Sequence, residues 1–158
     1  GKYQADRFYT LNGEVKNKGV FCLPDNLTVK QILEQTGNWP DFDFFVQSGG
    51  AMSGEILLSS ELDGQAGGAG AIIVHKTSED PLAIMKGWAD FFADQSCGQC
   101  VPCREGTYRL KEALDKKELD KALMEDLLFA LAETSLCPLG RGAAVPFSGY
   151  LKKIYGKH

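Results

Sequence analysis

Apolar positions recur along this chain with two different periods, and the period changes near residue 77. Upstream the pattern is one of short alternating or continuous apolar runs. RFYTLNGEV (7–15), KGVFCLP (18–24), DFFVQSGG (43–50), EILLSSEL (55–62) and AIIVH (71–75) predict strands. Asn12-Gly13 predicts a tight turn joining the first two strands into a hairpin. One helical segment interrupts them. In VKQILEQTG (29–37), Val29, Ile32 and Leu33 share a helical face, and Gly37 suits the position just past a helix end. GQAGGAG (64–70) predicts a flexible loop. Downstream the period becomes helical. Pro81 opens a helix whose inward face carries Leu82, Met85, Trp88, Ala89 and Phe92. A second helix starts near Cys103 and runs through GTYRLKEALD. A third, ELDKALMEDLLFALAET, places Leu119, Ala122, Leu123, Leu127, Ala130 and Leu131 inward. A fourth starts near Pro146 with Phe147, Tyr150, Leu151 and Ile154 inward.

This order gives an α+β class: a β-grasp-like domain over residues 1–76, then a helical domain over 77–158 forming a four-helix bundle. The polar stretch Thr77–Asp80 marks the boundary. A chain of 158 residues holds one domain or two small ones. The net charge of −4 argues against a nucleic-acid partner. Residues 97–158 alone are mildly basic, with ten basic side chains against eight acidic. No apolar run approaches the roughly 20 residues that cross a bilayer, and the start has no signal-peptide pattern. Direct membrane insertion is not expected. The first residue is Gly rather than Met, which predicts either a residue left from preparation or a piece of something longer.

The candidate chemistry lies in five cysteines. Cys97, Cys100 and Cys103 fall within SCGQCVPCREG (96–106), and Cys137 follows in SLCPLG (135–140). A C-x2-C-x2-C run with a distant fourth cysteine is the local signature of [4Fe–4S] ligation, one thiolate per iron. Gly98 lets the backbone turn closely. Pro102 fixes φ before the third ligand, and Pro138 follows the fourth. Arg104 adds positive charge, and Gly106 permits close helix packing. Two rivals stay open. Structural zinc sites usually split their cysteines into two pairs, and dithiol redox chemistry needs only one C-x-x-C. Cys22 is expected to be a buried strand residue. His75, His158 and the carboxylates Glu112, Asp115, Glu118 and Asp120 form no catalytic constellation. Trp88, Phe91 and Phe92 have the spacing of core residues.

SCGQCVPCREGT followed by SLCPLG resembles the C-terminal iron–sulfur domain of the flavin-bearing, NADH-oxidising subunit of respiratory complex I. Related NAD-linked hydrogenases and formate dehydrogenases carry the same unit. LNGEV, LTVKQILEQTG, QSGGAMSG and GGAGAIIV resemble the soluble-ligand-binding β-grasp domain that precedes it. The resemblance covers nearly the whole chain. It implies a [4Fe–4S] cluster on Cys97, Cys100, Cys103 and Cys137. That cluster relays single electrons between a flavin and further iron–sulfur centres.

The family's FMN- and NADH-binding domain has a GRGGAGFPTG-like loop with no counterpart here. GQAGGAG has neither G-x-G-x-x-G spacing nor a P-loop lysine. FMN and NAD are therefore expected only on an upstream domain or a partner subunit. The chain is not expected to be catalytic alone. Expected partners are that flavin and NADH-binding unit and other iron–sulfur subunits. The expected setting is a reducing compartment, the cytoplasm or the matrix side of an inner membrane. The alternative is a docking scaffold with a structural zinc site on the same four cysteines.

Overall fold

The computed structural model describes residues 5–52, 54–116 and 119–155. Glu118 and His158 lie outside them. The fold is mixed α/β, with a five-stranded mixed sheet and five helices among the described residues. The chain separates into two compact units, Gly1–Gly50 with Gly54–Ser78, and Glu79–His158 with Ala51–Ser53.

The first unit holds β1 (Asp6–Gly13), β2 (Gly19–Pro24), α1 (Val29–Gln35), β3 (Phe44–Ser48), β4 (Glu55–Leu58) and β5 (Ala71–Lys76). The strand order is β2-β1-β5-β3-β4. Of these pairings only β1–β5 is parallel, and a parallel neighbour needs a long crossover. Here the connection carries β2, α1, β3 and β4. Alternation in β1 turns Tyr9 and Leu11 into the core and Phe8 and Thr10 out. Val29, Ile32 and Leu33 of α1 join them, with Phe44, Val46, Ile72 and Val74. Thr28 caps α1 in a reciprocal box with Gln31, which satisfies two otherwise orphaned N–H groups. Gly37 ends it at φ 70°.

Asn12 and Gly13 are not the expected hairpin turn. They are the last two residues of β1, paired with Ile73 and Val74 of β5. The reversal comes later, over residues 14–18. Gly13 has φ 82°, and a β-carbon there would strike the Val74 carbonyl oxygen. This glycine therefore serves a close strand approach. Asn17 fastens the longer turn: its N–H donates to Asn38 Oδ1 (2.7 Å) and its Nδ2 to the Thr36 carbonyl (3.0 Å).

The second unit holds α2 (Pro81–Gln95), α3 (Val101–Leu114), α4 (Lys121–Thr134) and α5 (Pro138–Lys153). Each packs on the next, and α5 also contacts α2 and α3. Met85, Phe92, Leu110, Leu114, Met124, Leu131 and Phe147 are fully buried. Trp88 meets Phe147 and Tyr150 edge-on, each at 5.5 Å between ring centroids.

Four helix details differ from the sequence pattern. In α2, Ile84 is buried and Leu82 only half-buried. α3 starts at Val101, so Cys103 sits inside its first turn. α4 turns Met124, Leu128 and Leu131 inward and leaves Ala122, Ala130 and Phe129 exposed. That helix is apolar on most of its circumference, so periodicity alone does not choose the face. α5 starts at Pro138 and takes Pro146 into its interior. Interior proline normally ends a helix, but Gly142, Ala143, Pro146 and Phe147 are all buried here, and packing holds the element continuous.

Candidate metal centre

Two short loops carry Cys97, Cys100 and Cys137, and Cys103 lies just inside the helix that follows the first loop. The first, Ser96–Cys100, joins α2 to α3; the second, Ser135–Cys137, joins α4 to α5. Cys100 is the N-cap of α3 and Cys137 the N-cap of α5, both extended and neither making a side-chain capping bond. Proline follows at the second helical position of α3 and at the first of α5. There it lacks only an N–H that the helix does not use. Both sulfurs therefore stand at the positive end of a helix. Cys103 lies one turn into α3. Cys100 and Cys103 are buried, Cys137 is half-buried and Cys97 is exposed. Gly98 has φ 75°, which turns the first loop between Cys97 and Cys100.

The loops are held in the same way. Arg104 follows Cys100 by four residues and donates from Nη1 to the Gly98 carbonyl at 3.0 Å. Arg141 follows Cys137 by four residues and donates from Nε to the Ser135 carbonyl at 2.8 Å. Each arginine reaches back six residues to clasp the loop before its own helix. A β-carbon on Gly106 would lie 2.9 Å from Leu131 Cδ2, so this glycine lets α3 approach α4 closely.

The thiols feel one another. Burial pushes the Cys103 thiol up, the Ser96 hydroxyl partly offsets this, and charge on Cys100, Cys137 and Cys97 pushes it up further. Main-chain N–H groups at Leu136 and Cys103 pull the Cys100 thiol down. Leu136 belongs to the second loop and Cys100 to the first. Ser96 Oγ stands 3.4 Å from Cys103 Sγ and accepts from the Gly98 N–H at 3.3 Å. An all-sulfur donor set suits soft iron–sulfur chemistry. Among the described residues, no three His, Cys, Asp or Glu side chains lie close enough to hold a single metal ion.

Cys22 stands apart. It lies on edge strand β2, but it is exposed rather than buried, on the outward face opposite Phe8. The sequence pattern did not single out Ser96, Ser135, Gly140 or Arg141. The equal four-residue spacing from Cys100 to Arg104 and from Cys137 to Arg141 was the available signal.

The helical unit has two helix starts capped by cysteine, and the comparisons with known proteins point to the iron–sulfur class. Residues 83–156 match the family described as the NADH-ubiquinone oxidoreductase-F iron-sulfur binding region. The chain is 32% identical to the F subunit of NADH-quinone oxidoreductase from Streptomyces coelicolor, over 95% of this chain and 38% of that protein. It is 31% identical to the HndC subunit of the NADP-reducing hydrogenase from Solidesulfovibrio fructosivorans, over 87% of this chain and 32% of that one. The chain thus spans less than two fifths of the length of these relatives, 38% of the first and 32% of the second. A crystal structure of an NAD+-reducing [NiFe]-hydrogenase in the H2-reduced state shares the fold. Its TM-score is 0.81 at 24% identity, covering 94% of this chain and 27% of the hydrogenase chain.

Proposed function

We propose that this chain is the electron-transfer part of an NADH dehydrogenase-type assembly, holding one [4Fe–4S] cluster on Cys97, Cys100, Cys103 and Cys137. The observation that carries this reading is the pair of cysteine-capped helix starts, each loop clasped by an arginine. The cluster, when bound, supplies one-electron chemistry between a flavin and further iron–sulfur centres. The protein makes and breaks no substrate bond. Its thiolates hold the centre, and main-chain N–H groups and hydroxyls donate toward sulfur. The apolar side chains of α2 and α5 exclude water from one side.

Residues 1–76 read as a β-grasp domain and 77–158 as a four-helix bundle. The hairpin, crossover helix and mixed sheet support the first, and the closed series of helix contacts supports the second. FMN and NADH belong on an upstream domain or a separate subunit. Val101 and Leu136, beside the ligands, are 58% and 78% exposed, leaving an apolar approach for a redox partner. No helix among the described residues is long and apolar enough to cross a membrane. We place the chain on the cytoplasmic or matrix side of its complex, where thiols stay reduced.

The test is substitution. Cys100→Ser and Cys137→Ser are each expected to remove the cluster's visible absorption and most of the bound iron. The far-UV circular dichroism of the strand-rich unit should persist. Retention of four irons in both variants would overturn the ligand assignment.

A further inference from the structure

Ser135 is fully buried, and its hydroxyl has no hydrogen-bond partner. An orphaned buried hydroxyl costs about 1–3 kcal/mol, so such a group invites a question about what it meets. Its backbone is fixed on both sides. The Ser135 N–H donates to the Leu131 carbonyl at 3.3 Å, and the Ser135 carbonyl accepts from Arg141 Nε at 2.8 Å.

The fold also keeps room for this side chain. A β-carbon on Gly140 would overlap Ser135 Oγ, lie 2.7 Å from Ser135 Cβ and lie 3.1 Å from Cys103 Cβ. Ser135 and Cys103 therefore flank one point, which stays open because residue 140 is glycine. Cys103 already has one hydroxyl beside its sulfur, that of Ser96 at 3.4 Å. The Ser96 hydroxyl comes from the first loop and the Ser135 hydroxyl from the second.

We propose that Ser135 is a tuning residue for the metal centre: its hydroxyl donates a hydrogen bond to sulfur at the Cys103 corner of the cluster. This deepens the cluster reading and rests on it. The donated proton satisfies the orphaned hydroxyl. It also stabilises the extra negative charge of the reduced state, which raises the reduction potential. Gly140 and Arg141 then place the hydroxyl, and SLCPLGR is one device rather than a lone cysteine in a loop.

The test uses the anaerobically reconstituted chain, with iron and sulfide content measured first and the potential then read by EPR-monitored redox titration. Ser135→Ala is expected to hold a full cluster and to shift the one-electron equilibrium about tenfold toward oxidised, a fall of about 59 mV. Ser135→Thr and Ser135→Val have the same shape and differ in the hydroxyl. The threonine variant should titrate above the valine variant by a similar margin, and this pair decides the matter if alanine fails to fold. A full cluster with an unchanged potential in alanine, or equal potentials in the pair, would overturn the proposal. Loss of iron from all three variants would also overturn it, by making Ser135 a packing residue. Failure of the unsubstituted chain to take up iron and sulfide would be a failure of the cluster reading instead.

Discussion

At the scale of single residues, the two arginine clasps are alike in chemistry but not in setting. Arg104 bonds its loop in an exposed position and also pairs with Glu105 at 3.1 Å. Arg141, itself exposed, bonds the carbonyl of the buried Ser135. Water competes for the first bond more than for the second, and bonds to charged groups contribute about 1.5–3 kcal/mol only when sheltered. Arg141→Ala is therefore expected to release iron to a chelator several-fold faster than Arg104→Ala. Absorbance decay under nitrogen reads this directly, and equal rates would mean that the two clasps do not differ. The cysteines themselves were legible in the sequence, because three at fixed spacing and a fourth before proline have few other uses. The hydroxyls were not legible. Serine is common in loops, and only the space left by Gly140 singles Ser135 out.

At the scale of elements, legibility followed how strongly local chemistry fixed each segment. α1 matched its expected face and end because Thr28, Gln31 and Gly37 mark both termini. Thr28→Ala should lower the stability of the first unit by about 1 kcal/mol in a urea titration. The Asn12-Gly13 turn was misplaced because a glycine with positive φ serves either a tight turn or a close strand contact. Nothing local distinguishes the two, and the parallel partner β5 lies far along the chain. Gly13→Ala is expected to cost about 1–3 kcal/mol from backbone strain alone, with more from the clash at Val74. A neutral result would show that the β1–β5 register shifts freely. Pro138 and Pro146 divided the reading of α5. Proline opens a helix far more often than it sits within one, so the later proline drew the start. The burial of Gly142, Ala143, Pro146 and Phe147 is a tertiary effect that local sequence does not carry.

At the scale of the whole molecule, the chain joins a sheet-based unit to a helical unit with the clustered cysteines in the second. The helical core has its own pH response. Burial pushes the Tyr150 phenol up to about 12, with the negative charges of Glu79 and Asp80 adding to the effect. The folded unit keeps this proton after the unfolded chain, with an ordinary pKa near 10.0, has lost it. The unfolded state then binds fewer protons, so stability falls as pH rises. The contribution is complete below pH 10 and disappears as pH climbs toward 12. Urea titrations across that window should show a smaller alkaline loss in Tyr150→Phe than in the unsubstituted chain.

The central claim is that four thiolates from two helix starts hold one [4Fe–4S] cluster for single-electron transfer. The direct measurement is anaerobic reconstitution with iron and sulfide, then dithionite reduction and low-temperature EPR. Close to four irons and four sulfides per chain are expected, one per cubane corner, with a rhombic S = 1/2 signal on reduction. Zinc bound in place of iron, with no sulfide taken up and no signal on reduction, would contradict it.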